Sequence, residues 1–263
     1  MATGLTLPAL SGDVYLIRDG RIGLGSVNSP LPEAARGRRF GPGVLPQVPA
    51  TLSAVQGVVA RCAPWLTVYL GPKLWSIADS PADYDCRATV RRRSDGRVEY
   101  EHHGLSLTGR DVVMVAASAR LPTVLATVHH EIWHAIERHL HPADLAIVDA
   151  AVARGEARPG EYLDSMIERR ARSYEYWACA RDEGLRPASL CSVLVDRIDR
   201  IFEFVHSGAL ARDRVAGRPI RAQEAPGRRT LRTIYRLAVA SVGWPMTPAW
   251  VIGVAVVLIY SRA

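Results

Sequence analysis

The spacing of apolar residues divides the chain into an irregular beginning and a structured body. Residues 1–50 are rich in glycine and proline and have no sustained hydrophobic period, which indicates a flexible arm with one short strand at residues 13–18. From Thr51 onwards the pattern predicts one helix and then three strands, of which the last two flank a Ser-Asp-Gly turn. These four elements are residues 52–62, 65–70, 88–93 and 97–102.

The following apolar region changes from a strand pattern to a helix pattern. Residues 111–117 form an apolar run with the length of a buried strand, and Pro122 suits the first turn of a long helix that reaches about Leu140. Pro142 ends that helix. Helical periodicity then predicts three more helices, at residues 143–153, 159–181 and 187–206. This order of elements predicts an α+β fold, in which a small mixed or antiparallel sheet packs on a helical subdomain.

Composition indicates one globular domain with further segments at its ends. The chain has 263 residues, of which 48% are hydrophobic and 22% charged, so it can bury a core, and collagen-like, disulfide-rich and wholly disordered proteins are excluded. The net charge is +7, but eight arginines and only two acidic residues lie within residues 207–236. We therefore expect a nearly neutral domain at residues 51–206 followed by an Arg-rich linker, and nucleic acid is not expected as a partner.

The predicted long helix contains the sequence His-Glu-Ile-Trp-His, an HExxH motif. One helical turn places His130 and His134 on the same face, where two imidazoles can share one divalent metal ion. Glu131 projects beside them, toward a water molecule that the metal would make acidic. This combination is typical of metal-assisted hydrolysis, because the carboxylate takes the proton of the water and passes it to a leaving amine.

A catalytic zinc site needs a third protein ligand and an open position for water. The neighbouring histidines His129, His139 and His141 are poorly placed for this role, and we expect them to be solvated residues near the helix end. Better candidates are Glu168 and Glu175, which lie 34 and 41 residues after the second histidine of the motif. They are seven residues apart and share one face of a predicted helix.

The HExxH motif and the later run Glu-Arg-Arg-Ala-Arg-Ser-Tyr-Glu-Tyr-Trp-Ala at residues 168–178 together resemble the gluzincin metallopeptidases, in particular compact members associated with phages and plasmids. The resemblance covers roughly residues 51–206 and implies a minimal zincin-like fold with the HExxH helix at the active site. The third zinc ligand of gluzincins is a glutamate on a later helix, commonly in a Glu-x-x-Ala setting. Glu168 fits that setting and is favoured, while Glu175 also fits it and is otherwise a carboxylate that orients a histidine.

The chain departs from the gluzincin pattern at Arg172. Many gluzincins have an acidic residue four positions after the ligand, where it braces a histidine, and this chain has an arginine there. The bracing role would then fall to Glu137, Glu175 or a backbone carbonyl.

Two further features of a peptidase site are expected. The tetrahedral intermediate needs a hydrogen-bond donor opposite the metal, for which the candidates are Tyr162, Tyr174, His102 and His103. By resemblance, the strand at residues 111–117 would be the sheet edge along which a peptide substrate pairs.

The C-terminal segment, residues 237–263, has no charged residue between positions 237 and 261. A helix of that length spans about 37 Å, which exceeds the ~30 Å hydrocarbon thickness of a bilayer, but Pro245 and Pro248 interrupt it. The segment is therefore interpreted either as a membrane anchor, which is favoured, or as a terminal element that packs on the domain or mediates self-association. If the segment is an anchor, the arginines that precede it predict that the rest of the chain lies on the cytoplasmic side. The four cysteines form no CxxC pair, which agrees with a reducing compartment.

The sequence predicts a zinc-dependent metallopeptidase that binds one Zn²⁺ ion through His130, His134 and Glu168 and uses Glu131 as general base. Its substrate would be a peptide or protein, and its location cytoplasmic, with tethering to the inner face of the membrane if the anchor forms. The alternative is an Arg-rich protein that binds nucleic acid or a membrane surface and contains a non-catalytic, metal-stabilised domain. No pattern in the sequence indicates an oligomeric state.

Overall fold

The computed structural model describes residues 13–26, 37–77, 90–107, 109–152, 165–185 and 195–218. Within these ranges the chain forms nine strands and six α-helices, so the fold is α+β as predicted. The strands are β1 (Asp13–Arg18), β2 (Arg21–Ser26), β3 (Arg38–Gly41), β4 (Thr67–Gly71), β5 (Lys73–Ile77), β6 (Val90–Arg92), β7 (Val98–His102), β8 (Gly104–Leu107) and β9 (Val112–Ala116). The helices are α1 (Val48–Cys62), α2 (Leu121–Ile136), α3 (Pro142–Val152), α4 (Met166–Asp182), α5 (Val195–His206) and α6 (Ala209–Val215).

The strands form two sheets rather than the single small sheet that was expected. The first is a mixed sheet with the order β2-β1-β4-β9-β8, in which β4 and β9 are parallel and the other neighbours antiparallel. The second is an antiparallel sheet with the order β3-β5-β7-β6, which contains the predicted hairpin around Gly96. Gly96 has a positive φ of 81°, a conformation that glycine adopts readily.

Strand β9 has a hydrophobic core on each of its faces. Val113 and Val115 pack in the larger core, which contains the helices, whereas Met114 packs in a smaller core with Phe40 and Leu74 of the second sheet. All five residues of the strand are buried. Burial on both faces explains why the sequence of β9 is a continuous apolar run without alternation.

Two expectations about the strands need correction. The described part of residues 1–50 supplies strands to both sheets: β1 pairs with β2 and β4, and β3 pairs with β5, so this region is more than an arm with one short strand. The buried side chains Tyr15 and Ile17 of β1 belong to the larger core. The expectation that residues 111–117 form a sheet edge was wrong, because β9 lies between β4 and β8, and among the described residues β8 is the last strand on that side of the sheet.

Aromatic packing fixes α2 against α4 and α5. The ring of Trp133 lies 5.1 Å from that of Tyr174 and 5.3 Å from that of Phe202, measured between centroids, and all three side chains are fully buried. Helix α2 begins at Leu121 with Pro122 in its first turn, as predicted, and is followed by a 3₁₀ turn at Glu137–His139. Because α2 carries the HExxH motif, this packing determines which residues of α4 lie beside the motif.

The predicted C-terminal segment and most of the Arg-rich linker, residues 219–263, lie outside the described residues. Within the described ranges, no helix combines the length and apolar character needed to cross a membrane. The three described arginines of the linker each have a partner in the chain: Arg212 donates to the carbonyl of Ser207, Arg214 stacks over Trp65, and Arg218 pairs with Asp213.

Candidate metal centre

The HExxH motif lies where α2 passes between the mixed sheet and α4. Its apolar neighbours Val128, Ile132 and Trp133 are fully buried, so the histidines on the adjoining face are held against protein. His130 and Glu131 are buried themselves, with 8% and 6% of their surface exposed.

Glu168 reaches the motif from the first turn of α4. Helix α4 begins after Ser165, whose hydroxyl accepts a hydrogen bond from the backbone N–H of Glu168 at 3.4 Å, and this cap starts the helix at the point where Glu168 faces α2. The Glu168 side chain is buried beside His130 and His134.

The side chains of His130, His134 and Glu168 converge on one point. Nε2 of His134 lies 3.1 Å from Nε2 of His130. Oε2 of Glu168 lies 3.1 Å from Nε2 of His130, and Oε1 of Glu168 lies 3.3 Å from Nε2 of His134. Their candidate ligand atoms all lie within 4.8 Å of one another. The structure therefore brings together the three residues that were expected to bind a metal.

Two carboxylates flank the His130 ring, Glu175 at Nδ1 and Glu168 at Nε2, and they favour positive charge in this pocket. Burial alone would lower the pKa of His130, but hydrogen bonds to Glu168 and Glu175 outweigh burial and raise the pKa to about 9. In the metal-free chain a proton therefore occupies the imidazole between two carboxylates. Two imidazole nitrogens and one carboxylate oxygen are also a donor set that zinc binds in catalytic sites, so the residues present fit zinc.

Glu175 lies on the other side of the His130 ring. Its Oε2 atom is 3.0 Å from Nδ1 of His130, while Arg172 donates to both Glu175 oxygens at 3.0 and 2.8 Å. Because Nδ1 points away from the convergence point, Glu175 occupies the place of a carboxylate that orients a histidine. Arg172, the departure from the gluzincin pattern, holds that carboxylate, and Glu137 instead pairs with Arg170.

Glu131 packs against the edge strand β8. A Cβ atom added to Gly104 would lie 2.6 Å from Cγ and Oε1 of Glu131, so only glycine allows this approach. The backbone of Ser106 hydrogen-bonds to the Glu131 carboxylate. Burial raises the pKa of Glu131, and the nearby imidazoles of His130 and His134 oppose that rise.

Several other expected residues have different surroundings. Tyr174 was a candidate oxyanion donor, but its side chain is fully buried and its hydroxyl points to the Cys62 thiol at 4.0 Å, so that expectation was wrong. Tyr162 lies outside the described residues. His102 ends β7, and His103 lies between β7 and β8, where its carbonyl accepts a hydrogen bond from the backbone of Ala116.

The three neighbouring histidines do not share one environment. His139 packs edge-on against Trp65, and Nδ1 of His141 accepts a hydrogen bond from the backbone N–H of Ala143 at the start of α3. His129 was expected to be solvated, and this was wrong: it has no exposed surface, and its Nε2 lies 2.8 Å from Asp182.

His129 belongs to a second cluster that sequence reasoning missed. Its other members are Asp182, the last residue of α4, and His206, the last residue of α5. They lie 53 and 77 residues after His129, so no local spacing connects them. The available sequence signal was their position: Asp182 directly follows the predicted helix at residues 159–181, and His206 is the last residue of the predicted helix at residues 187–206.

Comparisons with known proteins give no match for this chain. It matches no protein-family model, and the searches of curated proteins and solved structures found no match either. Function is therefore inferred from the residues and geometry of the candidate metal centre.

Proposed function

We propose that this chain is a zinc-dependent metallopeptidase with a minimal zincin-like fold, in which His130, His134 and Glu168 bind the catalytic zinc ion. The observation that carries the proposal is the convergence of two Nε2 atoms and one carboxylate, from two helices, at separations of 3.1–3.3 Å. Their chemistry matches a catalytic site with three protein ligands and an open position.

Glu131 is the proposed general base. When bound, zinc makes a water molecule acidic and polarises the peptide carbonyl. The Glu131 carboxylate accepts the proton of the attacking water and returns it to the leaving amine. A buried carboxylate with a raised pKa suits both steps, because it holds the transferred proton until the amine takes it.

Strand β8 is the proposed docking edge for the substrate. It pairs with β9 on one side only among the described residues, and its residue Gly104 lies directly against Glu131. An extended peptide that added to β8 as a further antiparallel or parallel strand would pass close to the general base. In this proposal β8 takes the place of β9 as the docking edge. The mode of recognition that the resemblance implied, pairing of an extended peptide with a sheet edge, stays the same.

The proposal is tested by measuring zinc-dependent cleavage. The purified full chain is stripped with a chelator, restored with Zn²⁺ and incubated with a complex mixture of peptides, and new peptide ends are identified by mass spectrometry. We expect cleavage by the zinc-restored chain and none by the stripped chain. A His134→Ala variant treated in the same way is the matched control and should remain inactive. Intact peptides after incubation with the zinc-loaded chain, or cleavage that survives in the control, would contradict the proposal.

A further inference from the structure

The second cluster has the same donor atoms as the candidate metal centre. Nε2 of His129 lies 2.8 Å from Oδ2 of Asp182, and Nε2 of His206 lies 2.9 Å from Oδ1 of the same carboxylate. The ligand atoms of all three residues lie within 4.8 Å of one another. One carboxylate is thus approached on its two oxygens by two imidazoles from different helices.

Arg61 also contacts this cluster. Its Nη2 atom lies 2.8 Å from Oδ1 of Asp182 and 3.1 Å from Nε2 of His206. In the metal-free chain the guanidinium and an Nε2–H group of His206 can both donate to Oδ1, while Nε2–H of His129 donates to Oδ2. Three donors then share the two oxygens of one carboxylate.

A cation between the three side chains would take the place of the two imidazole protons that face Asp182. Both Nε2 atoms would then direct lone pairs at the ion, and the carboxylate would supply the negative charge. Arg61 remains on Oδ1 as an outer hydrogen-bond partner of a ligating carboxylate, an arrangement that is common at metal sites. Nδ1 of His129 has no hydrogen-bond partner among the described residues, so the polar contact of this buried ring is directed at Asp182.

We propose that His129, Asp182 and His206 form a second, structural site for a divalent transition metal such as zinc. The three ligands come from α2, α4 and α5, so the ion would cross-link the helices that surround the candidate metal centre. The Asp182 side chain is 24% exposed, which leaves the ion a route from solvent and room for water as a fourth ligand. This site is independent of the proposed peptidase activity.

Zinc stoichiometry of the full chain tests the second site. After saturation with Zn²⁺ and removal of free metal, we expect about two equivalents in the wild type by elemental analysis. His206→Gln, which keeps a hydrogen-bonding side chain, and His134→Ala should each retain about one equivalent, and the double variant should retain none. His141→Gln changes a histidine outside both clusters and should retain two.

The outcomes separate the two sites. One equivalent in the wild type, lost in His134→Ala and retained in His206→Gln, would overturn the second site and leave the candidate metal centre intact. Two equivalents in the wild type, with one lost in His206→Gln, would support the second site whether or not the chain cleaves peptides. A zinc-edge anomalous diffraction map of the wild-type chain needs no variant: a peak between His129, Asp182 and His206 supports the proposal, and density at the first cluster alone refutes it.

Discussion

The Nδ1 atom of His130 lies 3.0 Å from Oε2 of Glu175, which is about two helical turns along α4 from Glu168, the carboxylate that meets Nε2 of the same ring. This contact gives the two candidate glutamates of α4 different positions around one imidazole. Glu168 shares the convergence point with His134, and Glu175 holds the ring from behind with the help of Arg172.

Substitution of these two glutamates should therefore have unequal effects on zinc binding. Loss of a hydrogen-bond partner of a metal ligand typically weakens metal affinity about 10–100-fold. Glu175→Gln should therefore lower the zinc affinity of the candidate metal centre, the site that His134→Ala removes, by that amount. Glu168→Gln removes a proposed ligand and should lower it further. Competition with a chromophoric chelator measures both, with Glu183→Gln, an exposed residue at the C-terminal end of α4, as control. A larger loss in Glu175→Gln would make Glu175 the ligand.

The affinity of the first site for zinc should rise with pH. His130 has a pKa of about 9 in the metal-free chain, compared with 6.5 ordinarily, and zinc must displace its proton. Release of one proton predicts a gain of about tenfold per pH unit up to about pH 9 and a plateau above it. Titrations between pH 6 and 10 check this slope. An affinity that is flat across the range would show that His130 carries no proton there.

The same shift makes a prediction about the metal-free chain. A raised pKa in the folded state contributes stability that is complete below pH 6.5 and is lost as pH rises through about 9. Denaturant unfolding of the chelator-treated chain should therefore show a decrease in the free energy of unfolding over that window. His130→Gln should remove this part of the pH dependence, since glutamine does not titrate.

Gly104 should be required for activity more than for metal binding. Gly104→Ala places a Cβ atom 2.6 Å from both the Glu131 and the Thr127 side chains, so α2 and β8 must shift relative to each other at Glu131. Displacement of a reacting group by about 1 Å can cost about 100-fold in rate. We expect such a loss of peptide hydrolysis with unchanged zinc content. Gly57→Ala is the matched control, because no atom lies within 4 Å of its added Cβ and alanine favours the interior of α1. Equal activity of both variants would contradict the proposed role of β8.

The sequence was informative where the structural signal is local. The Ser-Asp-Gly turn predicted the hairpin of β6 and β7, and helical periodicity located α2 with Pro122 in its first turn. The HExxH spacing then predicted that His130 and His134 share one face, because this depends only on the helical repeat. Glu168 could be proposed from the same repeat together with the resemblance.

The errors arose where neighbours distant in the chain decide the environment. His129 was expected to be solvated because a helical repeat gives its angle but not the elements that cover it, and α4 and α5 bury it. Strands β2 and β3 occur in a glycine-rich region, where too few residues alternate between apolar and polar for a strand to be predicted. They are stabilised by pairing with β1 and β5, which the sequence does not show. The edge position of β8 depends on sheet order, which a single sequence does not contain.

The most direct test of the proposed catalytic site compares the full-length wild type with Glu131→Gln on the same peptide at equal zinc content. Glutamine keeps the shape of the side chain and leaves His130, His134 and Glu168 in place, but it cannot accept a proton. The account predicts unchanged zinc content and a fall in the hydrolysis rate of at least about 100-fold, the range expected for loss of a general base. A zinc-loaded Glu131→Gln variant that cleaves the peptide as fast as the wild type would contradict it.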